Sequence, residues 1–139
     1  MNGLRILAAA AAADSAERPD TADEPPLRYD EFLQRCLGKP DIAARVLETF
    51  RRQARGDVEA LLAAVAGQEA RKVRELAHRL KGAAANLAAS RLRTLAARLE
   101  EDALHGRLAE APQLAADLER EYRTLAAFVA QLPVSIPAA

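Results

Sequence analysis

Proline most constrains how this chain can fold, because a proline inside a helix removes a backbone hydrogen bond and clashes with the preceding turn. The sequence has seven prolines in 139 residues, yet residues 41–111 contain none. This stretch is rich in alanine, leucine, arginine and glutamate, which favour helices, and poor in the β-branched and aromatic residues that favour strands. The chain is therefore expected to be all-α.

Apolar residues that recur every three or four positions predict five helices, at about residues 29–37, 40–67, 68–87, 90–105 and 112–132. The last four are long and joined by short connections, so we expect an antiparallel four-helix bundle. The first helix is short and forms an additional N-terminal element. Ser90 is expected to cap the fourth helix with its side chain.

Each long helix has an apolar stripe that is expected to face the core of the bundle. In the second helix the stripe consists of Ile42, Val46, Phe50, Ala54, Val58, Leu61 and Val65. In the fourth helix it consists of Leu92, Leu95, Leu99 and Ala103, and in the fifth of Leu114, Leu118, Tyr122, Leu125 and Val129.

Composition predicts where the bundle begins and ends. The bundle is expected to span residues 28–133, between a flexible N-terminal tail or linker at 1–27 and a C-terminal tail at 134–139. Residues 14–26 are polar, acidic and proline-bearing, which is typical of a linker. The alanine-rich start faintly resembles a signal peptide, but its single arginine and low hydropathy favour a frayed helix or linker.

Charge and cysteine usage exclude several classes of protein. Twenty basic and twenty acidic residues give no net charge, which argues against a general nucleic-acid binder. No apolar run reaches the roughly 18 residues of a membrane span. The single cysteine, Cys36, is expected to pack under the short helix and cannot form an internal disulfide, so nothing requires an oxidising compartment. We expect a cytoplasmic monomer.

His78 is the residue best placed for chemistry. Successive residues of a helix are rotated by about 100°, so the apolar residues of the third helix lie opposite His78 and turn it toward solvent. The residues that share its face are Arg71, Arg74, Glu75, Lys81, Gly82 and Ala85. An exposed imidazole is largely neutral at pH 7, and beside cationic side chains it suits a nucleophile that accepts a dianionic phosphoryl group.

Gly82 is unexpected inside a good helix, because glycine costs about 1 kcal/mol relative to alanine there. Helical side chains lean toward the N-terminus, so residue 82 covers the surface beside His78, and a glycine leaves the imidazole accessible. The residues alone leave a structural interpretation open: a solitary surface histidine commonly has no function, and a lone glycine can permit close helix packing.

The other polar candidates are weaker. His105 precedes Gly106 at the expected end of the fourth helix, where a histidine commonly interacts with the last carbonyls. Neither histidine has a second ligand at a spacing that suits a metal, so no metal site is expected. The acidic run Glu100–Asp102 is interpreted as a solvated edge, although Glu100 could touch the face that carries His78.

The stretch AHRLKGAAANLAA, residues 77–89, resembles the motif of histidine-containing phosphotransfer domains, His-x-Leu-Lys-Gly followed by small residues. The resemblance covers about residues 28–132 and departs from the family at Ala88, where glycine is usual. It implies that His78 is phosphorylated, that Lys81 lies near the phosphoryl group and that Gly82 gives a partner clearance. Around them Arg71, Arg74, Glu75 and Ala85 are candidate partner-binding residues.

The resemblance further implies a phosphorelay intermediate that exchanges phosphoryl groups with receiver domains of response regulators or hybrid histidine kinases. It implies no cofactor on this chain and Mg²⁺ supplied by the receiver. A histidine kinase core, the enzymatic alternative, would need a nucleotide-binding domain with glycine-rich loops, for which the chain has neither the loops nor the length. An adaptor bundle that docks receivers or kinases without transfer remains open.

Overall fold

The computed structural model describes residues 24–132, and within that range it contains five α-helices and no strand. In chain order they are α1 (Tyr29–Arg35), α2 (Pro40–Ala66), α3 (Ala70–Asn86), α4 (Ser90–Leu104) and α5 (Ala111–Ala130). The prediction of an all-α bundle is confirmed. The alanine-rich start and the C-terminal tail lie outside the described residues, and the expectations about them stay predictions.

The four long helices close around one apolar core. Helix α3 packs against α2 and α4, and α5 packs against the same two helices from the other side, so each long helix has two neighbours. The short α1 contacts α2. Leucine and alanine dominate the buried residues, and Leu61, Leu92, Leu99, Leu118 and Leu125 are fully buried. No helix within residues 24–132 is both long enough and apolar enough to cross a membrane.

Tight turns place α3 antiparallel to its two neighbours. Before α3, Gln68 adopts φ +54° and the next amide, that of Glu69, donates to the carbonyl of Ala64 at 2.9 Å. After α3, Ala88 adopts φ +58° and the amide of Ala89 donates to the carbonyl of Ala84 at 2.9 Å. Bonds of this kind satisfy the last carbonyls of a helix. Ala88 thus occupies the left-handed region that favours glycine, where the resemblance leads one to expect glycine.

The predicted core stripe of α2 is wrong at Val46, which is 37% exposed, whereas Ala43 and Leu47 are buried. The reason is geometric. Residues four apart on a helix are rotated by about 40° beyond a full turn, so a stripe built from steps of four drifts around the helix. Ile42 and Val46 therefore lie well away from the inward direction of Val58.

The expected cap at Ser90 is also wrong, because its hydroxyl makes no capping bond and instead donates to Glu24 Oε1 at 3.1 Å. Glu24 is held there by Arg28, whose Nη2 lies 3.0 Å from the same oxygen. Leu27, placed at the end of the predicted tail, is fully buried. The packed part of the chain therefore begins before residue 28.

Cys36 lies directly after α1 and is buried in the core, as expected from the sequence. Burial raises the pKa of the Cys36 thiol, because the thiolate would lose its hydration. Burial therefore favours the neutral thiol over the thiolate, which is the reactive form.

Candidate functional site

The sequence of α3 turns His78 toward solvent. Its buried face is formed by Val73, Ala77, Leu80 and Ala84, and these side chains fill the space between α2 and α4. The side chain of His78 lies on the opposite face and is 67% exposed. The prediction that the core stripe directs this imidazole outward is confirmed.

A carboxylate on the neighbouring helix holds one edge of the imidazole. Glu100 of α4 places Oε2 2.8 Å from His78 Nδ1 and Oε1 2.6 Å from Lys81 Nζ. A carboxylate only accepts hydrogen bonds, so the neutral imidazole that satisfies this contact carries its proton on Nδ1. The lone pair then lies on Nε2, for which the described residues provide no hydrogen-bond partner. We call these three residues the His78–Glu100–Lys81 cluster.

Glu100 is ionised in this cluster. Partial burial raises the pKa of its carboxyl group, but the hydrogen bonds from Lys81 and His78, together with their charges, lower it by more. The net result is a pKa below the ordinary value of 4.5. Glu100 therefore presents a full negative charge to Nδ1 of His78 at neutral pH.

Gly82 lies one turn after His78 on the exposed face of α3. A Cβ atom built on Gly82 would meet no heavy atom within 4 Å beyond its own helix backbone and chain neighbours. Close helix packing therefore does not require this glycine, and the backbone next to the imidazole is open to an approaching partner.

An open hollow of about 530 Å³ borders the imidazole on the N-terminal side. Its lining residues are Arg71, Arg74, Glu75, His78, Arg79 and Glu100. Three of the four predicted partner-binding residues thus lie together here. Ala85, the fourth, is half-buried farther along α3, and its carbonyl accepts a hydrogen bond from Arg35.

A second depression, the α2–α3 groove, runs beside the same helix. It has a volume of about 460 Å³ and an apolar floor that includes Val46, Phe50, Leu80 and Ala83. At one end of the groove, Arg79 Nη2 donates to Asp57 Oδ1 at 2.7 Å, which ties α3 to α2, and Arg79 also lines the hollow beside His78. The exposed Val46 therefore contributes to a surface depression and not to the core.

The sequence indicated only that Glu100 could touch the face that carries His78, and it did not predict the bonds that Glu100 accepts from His78 and Lys81 or the Arg79–Asp57 pair. His105 behaves as expected, with Nδ1 3.0 Å from the carbonyl oxygen of Glu101. Within residues 24–132, no three histidine, cysteine, aspartate or glutamate side chains are placed to hold a metal ion.

Comparisons with known proteins agree on one family. The sequence profile of the Hpt domain matches residues 45–128, which include α3 and the whole His78–Glu100–Lys81 cluster. The chain is also similar to the crystal structure of histidine-containing phosphotransfer protein B (HptB) from Pseudomonas aeruginosa PAO1. That comparison has a TM-score of 0.71 and 28% sequence identity, and covers 78% of this chain and 96% of that one. Comparison with curated protein sequences gives no match.

Proposed function

Because this chain belongs to the Hpt domain family and so has a histidine phosphotransfer role in a phosphorelay, we propose that His78 carries its phosphoryl group. The group arrives from an aspartyl phosphate on one receiver domain and leaves to an aspartate on another. The protein is then a shuttle between receivers and has no kinase activity of its own.

One observation carries the proposal. The 67% exposed imidazole is held at Nδ1 by Glu100, and its Nε2 has no hydrogen-bond partner among residues 24–132. The imidazole, as the nucleophile, and the Glu100 carboxylate, as the group that orients it, lie within hydrogen-bond distance of each other. This is the arrangement expected of an activated nucleophile. His105, the other histidine, bonds the backbone carbonyl of Glu101 through Nδ1 at the end of α4, and its carboxylate contact, with Glu101 Oε2, is longer at 3.4 Å.

The transfer step follows from this geometry. The Nε2 lone pair attacks phosphorus while the bond to the receiver's aspartyl oxygen breaks, and the aspartate leaves as a carboxylate with the bonding electron pair. The ring then carries phosphoryl on Nε2 and its original proton on Nδ1, so it becomes positively charged. Glu100 Oε2 lies 2.8 Å from Nδ1, accepts that proton in a hydrogen bond, and stabilises the positive charge as it develops, as a preorganised counter-charge does.

The receiver supplies what this chain does not. We expect Mg²⁺ to be bound by the receiver's acidic pocket, as the resemblance to the family implies. The α2–α3 groove and the face of α3 that carries Gly82 form the surface on which the receiver docks, because the groove has an apolar floor and Arg79 lines both this groove and the hollow beside His78. Arg71 and Glu75 flank the imidazole and are 90% and 60% exposed, which suits contact with a partner.

We further propose that the shuttle acts as a cytoplasmic monomer. A single chain closes the four-helix core, and every long helix has two neighbours from the same chain, so the fold needs no second copy. We place the transferring unit in the packed bundle of residues 24–132, which begins before residue 28 because Leu27 is fully buried.

A relay assay tests the proposal. The protein is incubated with a panel of ³²P-labelled receiver domains, purified away from the donor and then mixed with a second receiver. We expect label to move onto the protein and onward, and His78→Gln to abolish both steps. His105→Gln is the matched control and should transfer normally.

Two outcomes of the same assay would contradict the proposal. Label that reaches His78→Gln at the normal rate would show that another residue is the acceptor. Stable binding of receivers with no transfer from any of them would favour the adaptor interpretation.

A further inference from the structure

Four basic side chains surround His78, and they differ in whether they are already paired. Three of them form ion pairs, whereas Arg74 has no ion-pair or hydrogen-bond partner within residues 24–132. The paired ones are Arg71 with Glu75 at 3.4 Å, Arg79 with Asp57 at 2.7 Å and Lys81 with Glu100 at 2.6 Å. Arg74 therefore keeps all its guanidinium donors available for a ligand.

The open space beside the imidazole lies on the Arg74 side. The hollow that borders His78 is lined by Arg74 and not by Lys81. Residue 74 is one turn before residue 78, and helical side chains lean toward the N-terminus, so the imidazole extends over the turn from which Arg74 rises. His78 and Arg74 line the same hollow, so a phosphoryl group on the imidazole has open space next to Arg74.

We propose that Arg74 is a catalytic residue that contacts the phosphoryl group on Nε2 of His78. This assignment rests on the phosphotransfer function proposed above and gives Lys81 a different task. Lys81 neutralises Glu100, which would otherwise place an uncompensated negative charge near the phosphoryl group. Arg74 binds the phosphoryl oxygens themselves.

The chemistry of arginine suits this position. A guanidinium donates two parallel hydrogen bonds to oxygens of one phosphoryl group, and it stays charged at every pH at which the protein is folded. During transfer, the N–P bond forms as the acyl O–P bond breaks, and the departing aspartate takes the electron pair. Arg74 neither gains nor loses a proton in this step; it neutralises negative charge on the equatorial oxygens.

The test loads the phosphoryl group chemically, so that it does not depend on any receiver. Potassium phosphoramidate transfers its phosphoryl group to imidazole nitrogen and releases ammonia, and it is used to load the wild type, Arg74→Ala, Arg74→Lys and Arg123→Ala. ³¹P NMR follows the decay of phospho-His78, while phospho-His105 in the same tube is an internal control. Arg123 lies on α5, away from α3, and gives a charge-matched control.

We expect Arg74→Ala to shorten the half-life of phospho-His78 about threefold to tenfold, because one charge-assisted contact is lost. Arg74→Lys should restore part of the half-life, and Arg123→Ala and phospho-His105 should not change. The ¹⁵Nε signal of Arg74 should also shift when His78 is phosphorylated. Each variant is checked by thermal unfolding, and Arg74 is exposed, so the fold should persist.

Either of two results overturns the assignment: an unchanged half-life in Arg74→Ala, or an Arg74 ¹⁵Nε signal that does not move on phosphorylation. Both are distinct from failure of the proposed function. If the chemically loaded variants behave as expected but no receiver loads His78, then the Arg74 contact stands and the relay function fails. If receivers load His78 and the Arg74 results are negative, only this inference is removed.

Discussion

Substitutions at Gly82 can separate a glycine kept for folding from a glycine kept for a partner. A Cβ at this position would meet no heavy atom within 4 Å outside its own helix turn, so Gly82→Ala introduces no clash. The full helix-propensity gain of about 1 kcal/mol should then appear as stability. For a domain of about 100 residues this raises Tm by roughly 4 °C or more, measured by circular dichroism.

Gly82→Gln should also remain folded, because its side chain extends into solvent. Its longer side chain leans toward His78, however, and would occupy the space through which a receiver reaches Nε2. We expect transfer from a phosphorylated receiver to be blocked in Gly82→Gln and at most mildly reduced in Gly82→Ala.

Two matched controls accompany these variants. Gly56→Ala tests the stability argument at another helix-interior glycine with open space, and should raise Tm by a similar amount. Ala127→Gln adds the same side chain at an exposed position of α5 and should leave transfer unchanged. A Gly82→Gln protein that transfers normally would refute the clearance argument, and one that unfolds would show that the glycine is structural.

Three further predictions concern the charges around His78 and the state of the protein. Because folding lowers the pKa of Glu100, the ionised carboxylate stabilises the fold fully above pH 4.5, and this contribution is lost as the pH falls through the lowered value. The difference in Tm between the wild type and Glu100→Gln should therefore shrink in strong acid. A difference that stays constant with pH would contradict this. Lys81→Ala removes a hydrogen bond and a charge that lower the pKa of Glu100, so ¹³C NMR titration should show that pKa rising. Phosphoryl transfer should also slow, roughly tenfold or less. An unchanged titration and an unchanged transfer rate would exclude a role for Lys81. Light scattering should give a monomer and [γ-³²P]ATP alone should leave the protein unlabelled, whereas a dimer that unfolds on dissociation, or labelling by ATP, would be the contrary result.

Features that depend on a single helix could be predicted from the sequence. A helical-wheel projection of α3 predicts the outward direction of His78, because the apolar side chains of Leu80 and Ala84 define the buried face. The accessible backbone at Gly82 follows from the same wheel. The antiparallel arrangement could also be predicted, because short connections between successive helices favour antiparallel neighbours that pack their apolar faces together.

Features that depend on how two segments pack could not be predicted in the same way. The contact of Glu100 with His78 joins residues that are 22 positions apart in the sequence. It depends on the register of α4 against α3, and a helical-wheel projection of one helix carries no information about that register. Ser90 fails as a cap because the helix already begins at Ser90, with Ala89 in the N-cap position, and its hydroxyl instead donates to Glu24, in a segment expected to be a linker. Val46 is not a core residue because a stripe of residues spaced four apart gradually rotates around the helix and leaves the buried face.

The position and attachment of the phosphoryl group provide the most direct test of the central claim. The wild type and His78→Gln are incubated with a phosphorylated receiver, and the product is examined by long-range ¹H–¹⁵N and ³¹P NMR. We expect one acid-labile, alkali-stable phosphoryl group on Nε2 of His78, with Nδ1 still protonated and bonded to Glu100, and none on His78→Gln. Phosphorylation of Nδ1, or equal labelling of His78→Gln, would contradict the account.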